Sequence, residues 1–214
     1  YGMTNLGWCY EVGQGTERAP ERAVQYYRKA AELGYHPALC NLGICLLNGI
    51  GTPVDEAGAL QCIRTSAEGG VPRAQHLLGD FYSAGRLVPR DEGRAVQWYQ
   101  SAAWLGYPPA QTDLGRCLEF GVGIPEDKKA AVHWYRLAAD TGFPLAAYCL
   151  GNCLNQGTGI PQDGKSAAEW YQKAADADFP PALCNLGVCY EHGNGVPEDL
   201  ARAAALYLRG AELG

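Results

Sequence analysis

Residues 114–151 read LGRCLEFGVGIPEDKKAAVHWYRLAADTGFPLAAYCLG, opening on Leu114-Gly115 and closing on Leu150-Gly151. The same dipeptide stands at Leu6-Gly7, Leu42-Gly43, Leu78-Gly79 and Leu186-Gly187, always 36 residues from the next. A gapless period of this length marks a repeat array, whose units stack to build one continuous core. It predicts six copies, 1–36, 37–72, 73–108, 109–144, 145–180 and 181–214, in one elongated domain. Positions within a copy are counted from 1 to 36. Position 23 is alanine in all six copies and position 13 is always glycine, while position 27 is tyrosine except at Ile63.

Each copy reads as two helices. At about 100° per residue, positions 2, 3, 6, 7, 9, 10 and 13 share one broad arc, which predicts a buried face. In the second copy these are Ala38, Leu39, Leu42, Gly43, Cys45, Leu46 and Gly49. Glycine inside a helix costs about 1 kcal/mol relative to alanine, so its recurrence at position 7 predicts a close approach of helices. The segment Gly121-Val122-Gly123-Ile124-Pro125 is a turn signal repeated in other copies. The aspartate that follows, Asp55, Asp91, Asp127, Asp163 or Asp199, suits the N-cap of the second helix; the first copy has Ala19 instead. That helix carries Ala131, Trp134, Tyr135, Ala138 and Ala139 on one side, and Trp98, Trp134 and Trp170 are expected in the core. It is expected to end at Gly34, Gly70, Gly106, Gly142 or Gly214, with Asp178 in the fifth copy.

The net charge of -6 argues against a nucleic-acid backbone as partner. No apolar run approaches the roughly 18 residues of a membrane-spanning helix, so no membrane insertion is expected. The chain begins and stops inside a repeat, without polar terminal caps, and so reads as a fragment of a longer protein.

The unit Ala110-x-x-x-Leu114-Gly115-x-x-Leu118-x-x-Gly121-x-Gly123-Ile124-x-x-Asp127-x-x-x-Ala131-x-x-Trp134-Tyr135-x-x-Ala138-Ala139-x-x-Gly142 resembles the Sel1-like repeat, a relative of the tetratricopeptide repeat with a longer inter-helix loop. The resemblance extends over essentially all 214 residues. The second copy departs most, with Cys62-Ile63 and Gly58, and the third has Leu87 for a loop glycine. The resemblance implies an all-α fold, a right-handed α-α superhelix (solenoid) of six helix-turn-helix repeats. It also implies a scaffold or adaptor role, with another protein or peptide as partner.

Five of the nine cysteines share position 9: Cys9, Cys45, Cys117, Cys153 and Cys189. Phe81 fills that position in the third copy, so these thiols are expected to pack as small apolar groups. Cys149 and Cys153 are four apart, and Cys40/Cys45 and Cys184/Cys189 five apart, all poor spacings for a bridge. Cys45 and Cys62, on opposite helices of one copy, remain the one candidate pair. An odd, mostly unpaired set points to a reducing compartment such as the cytoplasm. Some cysteine-rich members of the similar family are secreted, carry one bridge per repeat, and are linked to β-lactam binding or hydrolysis. A protein of that kind is the alternative reading, although this chain lacks the regular pairing. His36, His76, His133 and His192 occupy four different positions, and no Cys-x-x-Cys, P-loop or nucleophile-elbow motif is present. No catalytic set, metal site or cofactor is therefore expected.

Positions 1, 5, 8 and 12 of the first helix cluster beside the buried arc, within about 60° of one another at helical spacing, and vary between copies. In tetratricopeptide-like arrays the first helices line the concave side. The candidate partner-binding residues are Asn5, Trp8, Asn41, Ile44, Asn48, Asp80, Asp113, Arg116, Phe120, Asn152, Asn185 and His192. A side-chain amide both donates to and accepts from an extended backbone, so the recurrent asparagines suit a peptide ligand.

Overall fold

The computed structural model describes residues 2–213, so the expected stop at Gly214 lies outside the described residues. Among these residues there are twelve α-helices and no strand. Contacts divide the chain into two compact units, Tyr1–Leu105 and Gly106–Gly214, of three helix pairs each. The first contains α1 (Gly2–Val12), α2 (Pro20–Glu32), α3 (His36–Asn48), α4 (Glu56–Glu68), α5 (Pro72–Ala84) and α6 (Glu92–Trp104). The second contains α7 (Pro108–Phe120), α8 (Lys128–Asp140), α9 (Pro144–Gln156), α10 (Gly164–Asp176), α11 (Pro180–His192) and α12 (Leu200–Leu213). Within each unit every helix packs chiefly on its neighbours in the chain.

The start and stop signals of the second helices act as the sequence predicts. Asp55, Asp91, Asp127, Asp163 and Asp199 each accept a hydrogen bond from the backbone N–H three residues on, at 2.9–3.1 Å. Ala19 makes no such bond, and α2 starts on Pro20 alone. Asp178 takes the left-handed conformation at φ 56°, as Gly34, Gly70, Gly106 and Gly142 do in the first four copies. Leu87 holds φ 61°, so the third loop keeps its left-handed step without a glycine.

Position 13 departs from the expectation. Gly49, Gly85, Gly121, Gly157 and Gly193 are exposed and cap their helices at φ 66–74°. The helix stops there, so the arc that holds positions 2 to 10 no longer applies. Each cap N–H returns to the carbonyl at position 9, as from Gly49 to Cys45.

The mid-helix glycine at position 7 faces a side chain from the partner helix. A Cβ added at Gly115 would lie 2.6 Å from Cε1 of Tyr135, and at Gly151 2.6 Å from Cε1 of Tyr171. Gly7, Gly79 and Gly187 meet Tyr27, Tyr99 and Tyr207 in the same way, while Gly43 meets Ile63. Close approach is thus achieved by seating a ring in the notch that a missing side chain leaves. Tyr27, Tyr135 and Tyr171 are fully buried, as are the alanines at positions 2 and 23 in copies two to five. Of the tryptophans expected in the core, Trp134 is buried, but Trp98 and Trp170 are only half-buried.

Candidate functional site

The tyrosine ring at position 27 crosses the core, and its hydroxyl emerges beside the outer turns of the first helix. Tyr27 donates to Glu11 at 2.6 Å, Tyr135 to Glu119 at 2.7 Å and Tyr207 to Glu191 at 2.6 Å, all at position 11. In the other two copies the acceptor is at position 8: Tyr99 donates to Asp80 at 2.8 Å and Tyr171 to Asn152 at 2.7 Å. Burial raises the pKa of Tyr27, Tyr135 and Tyr171, and for Tyr27 and Tyr135 the bonded carboxylate raises it further. These hydroxyls therefore stay protonated donors, and the acceptors they hold are fixed in place.

None of the twelve candidate partner-binding residues is buried. Their roles differ. Asp80 and Asn152 anchor tyrosines, and Asn152 also accepts from Asn185 Nδ2 at 3.0 Å. Asn48 turns back to the carbonyl of Ile44 at 3.0 Å. Arg116 approaches Asp113 at 3.5 Å. Asn5, Phe120 and His192 project into solvent, Phe120 with 66% of its surface exposed.

In the first unit Trp8, Asn41 and Ile44 come together. With Glu11 and Arg73 they line a hollow of about 90 Å³ to which α1, α3 and α5 all contribute. Trp8 keeps 45% of its surface exposed, and Arg73 reaches Asn41 Oδ1 at 3.5 Å. Arg73 stands at position 1, where the other copies have tyrosine, proline or leucine, and is not one of the twelve candidates.

Further hollows are lined by residues of first and second helices and, in the second unit, of the loops. One of about 650 Å³ in the second unit is lined by Arg136, Asp140, Leu154, Asp163, Ser166 and Trp170 among others. Smaller ones lie by Tyr82 and Trp98 in the first unit and by Tyr190 in the second, at about 380 and 300 Å³. The nine cysteines are all thiols in this structure. Burial pushes Cys45, Cys149 and Cys153 up to about 12 and Cys40 to about 11, with nearby Glu11 or Glu119 adding to the first three. Thiols so held are poor nucleophiles at neutral pH.

The profile of the Sel1 repeat matches residues 1–35, 36–71, 72–107, 108–143, 144–179 and 180–214. The chain belongs to the Sel1 repeat family. A Sel1 repeat protein from Oxalobacter formigenes is 31% identical, with a TM-score of 0.93 over 99% of this chain and 87% of that one. A protective antigen with the same fold, present in uropathogenic Escherichia coli strains, is 32% identical with a TM-score of 0.87. This chain, matched over 99% of its length, spans 45% of that antigen. The immunity protein Pa5087 from Pseudomonas aeruginosa, 22% identical with a TM-score of 0.62, shares the fold. A comparison with curated proteins returns no match. The fold of this Sel1 repeat chain is accordingly an all-α solenoid. Sel1 repeat proteins commonly act as protein-interaction scaffolds and are generally not enzymes. None of the described helices is long and apolar enough to cross a membrane.

Proposed function

We propose that this Sel1 repeat chain is an interaction scaffold that binds an extended segment of another protein along the exposed face of its first helices. The observation that carries the reading is the hollow between Trp8, Asn41, Ile44 and Arg73. Trp8 and Ile44 offer apolar surface to a side chain, Asn41 offers an amide to a backbone, and Arg73 offers a cation beside them. Tryptophan and arginine are the types most often found where binding energy concentrates. The second unit, by itself, carries Asp113, Arg116, Asn152 and Asn185 on its first helices, with Asn185 already paired to Asn152.

The test is selection of binding peptides from a displayed random library, followed by titration of the best one. Replacing Trp8 by alanine is expected to weaken binding by about 2 kcal/mol, the scale of an interfacial hot spot. Folding should change by no more than about 0.5 kcal/mol, as for most exposed substitutions. Peptides that bind Trp8→Ala and Asn41→Ala as tightly as the parent would move the site elsewhere.

A further inference from the structure

Positions 10 and 22 change together among the six copies. Tyrosine at 10 goes with arginine at 22, as Tyr10 with Arg22, Tyr82 with Arg94 and Tyr190 with Arg202. Leucine at 10 goes with a small residue, as Leu46 with Gly58, Leu118 with Ala130 and Leu154 with Ser166. In the first set the guanidinium lies over the tyrosine ring, its central carbon 5.7, 5.6 and 4.4 Å from the centroid. Arg94 also pairs with Asp91, the aspartate that caps its own helix, at 3.3 Å. Arg94 thus occupies a seat made of an aromatic ring and a capping carboxylate, next to Trp98 at position 26.

In the fifth copy this seat is vacated by the sequence. Leu154 and Ser166 replace the pair, and the hollow there reaches about 650 Å³, against about 380 Å³ where Tyr82, Arg94 and Trp98 stand. The carboxylate remains. Asp163 accepts from the Ser166 N–H at 3.1 Å and its hydroxyl at 2.6 Å, and these bonds hold its pKa below the usual carboxylate range. The aromatic at position 26 also remains, as Trp170. Its ring attracts cations, since the Lys173 ammonium lies 3.5 Å from the ring centroid. Trp170 lines the hollow and Lys173 does not. Asp140 and Arg136 complete the wall, and two carboxylates against one guanidinium leave it negative by one.

We propose that this hollow binds an arginine side chain presented by another protein, its guanidinium taking the seat that Arg94 takes within its own copy. The cation would rest on Trp170 and pair with Asp163 and Asp140, while its methylene stem covers Leu154. A glutamate or aspartate reaching for Arg136 would meet both carboxylates, which disfavours an acidic ligand. A purely apolar side chain would desolvate the two carboxylates, Asp140 and Asp163, with only the Arg136 guanidinium to balance them. The site is independent of the first-helix face and stands whether or not that face binds a peptide.

The experiment follows the tryptophan indole N–H signals of the full chain by nuclear magnetic resonance, with the Trp170 signal assigned by its loss in Trp170→Phe. The probes are the N-acetyl methylamides of arginine, norleucine and glutamate. The arginine probe is expected to shift the Trp170 signal saturably at millimolar concentration. The other two should bind roughly tenfold more weakly, the combined scale of one cation–π contact and one exposed ion pair. Asp140→Asn should weaken the arginine probe by roughly threefold. The double variant Leu154→Tyr with Ser166→Arg rebuilds the internal pair and should abolish the shift while leaving the unfolding midpoint no lower. The proposal is overturned if the arginine probe leaves Trp170 unmoved, or if the norleucine or glutamate probe binds as well. Unchanged arginine binding in the rebuilt variant overturns it too. Should that variant fail to fold, Asp140→Asn decides: unchanged affinity there overturns the proposal equally.

Discussion

Gly115→Ala is expected to destabilise the chain even though it replaces glycine in the middle of a helix. The added Cβ would lie 2.6 Å from Tyr135 Cε1, 2.8 Å from Cδ1 and 3.2 Å from Cζ. Tyr135 has no exposed surface and its hydroxyl is tied to Glu119 at 2.7 Å, so the ring has nowhere to swing. Overpacking a closed core costs about 1–3 kcal/mol. Alanine returns about 1 kcal/mol of helix propensity. With the ring unable to swing, the upper part of that range applies, about 2–3 kcal/mol, so the net loss should be about 1–2 kcal/mol, read as a lower urea midpoint by circular dichroism. Gly93→Ala, in α6, serves as the contrast, because its Cβ would meet nothing nearer than Asp91 Oδ1 at 3.5 Å. It should raise stability by up to about 1 kcal/mol. In a Tyr135→Ala background the obstructing ring is gone, and Gly115→Ala should then add about 1 kcal/mol instead of removing it. A Gly115→Ala protein as stable as the parent, or a loss that persists without the Tyr135 ring, would refute the notch-and-ring account.

Ala19→Asp should give α2 the side-chain cap that the other second helices have and add about 1 kcal/mol in the same urea assay. Cys45, Cys149 and Cys153 sit near 12 when folded and near 9 when unfolded, chiefly because burial disfavours the thiolate. Below pH 9 both states keep these protons; between pH 9 and 12 the unfolded chain loses them first, so stability should fall across that window and not below it. Alkylation by iodoacetamide at neutral pH should reach the exposed Cys184 first, with the buried Cys40, Cys45, Cys153 and Cys189 reacting on unfolding, as mass spectrometry of timed samples would show. Asn152→Ala removes the acceptor of the buried Tyr171 hydroxyl and should cost about 1–3 kcal/mol in thermal or urea unfolding.

The period alone carries the helix count, the caps and the buried alanines, because each is a local effect repeated in every copy. The partner of Gly115 was not legible in the same way. Sequence spacing says that a notch exists on α7, and only the packing of α8 says that Tyr135 fills it. Position 13 falls outside the buried face because an arc drawn at a constant angle continues past Gly49, where the backbone has already turned left-handed. Trp98 and Trp170 were placed in the core on their recurrence, yet the hollows beside them leave their rings half-open. The signal that would have found those hollows was present: arginine at Arg22, Arg94 and Arg202 tracks tyrosine twelve residues earlier. The candidate face fared differently by residue. Trp8 and Ile44 do meet in one hollow. Arg73, at position 1 of the same expected face, joins that hollow although it is not among the candidate residues.

The notch and the ring that fills it lie 20 residues apart and always within one copy, as Gly7 with Tyr27 or Gly151 with Tyr171. A copy therefore carries its own lock and its own key. Duplicating such a stretch of gene, or deleting one, transfers the complete fit and leaves the neighbours' fit intact. The exception, Gly43 with Ile63, obeys the same grammar with a different key. Arrays built this way lengthen or shorten in whole steps without renegotiating their interiors, and selection is left free to rewrite the surface of each step separately.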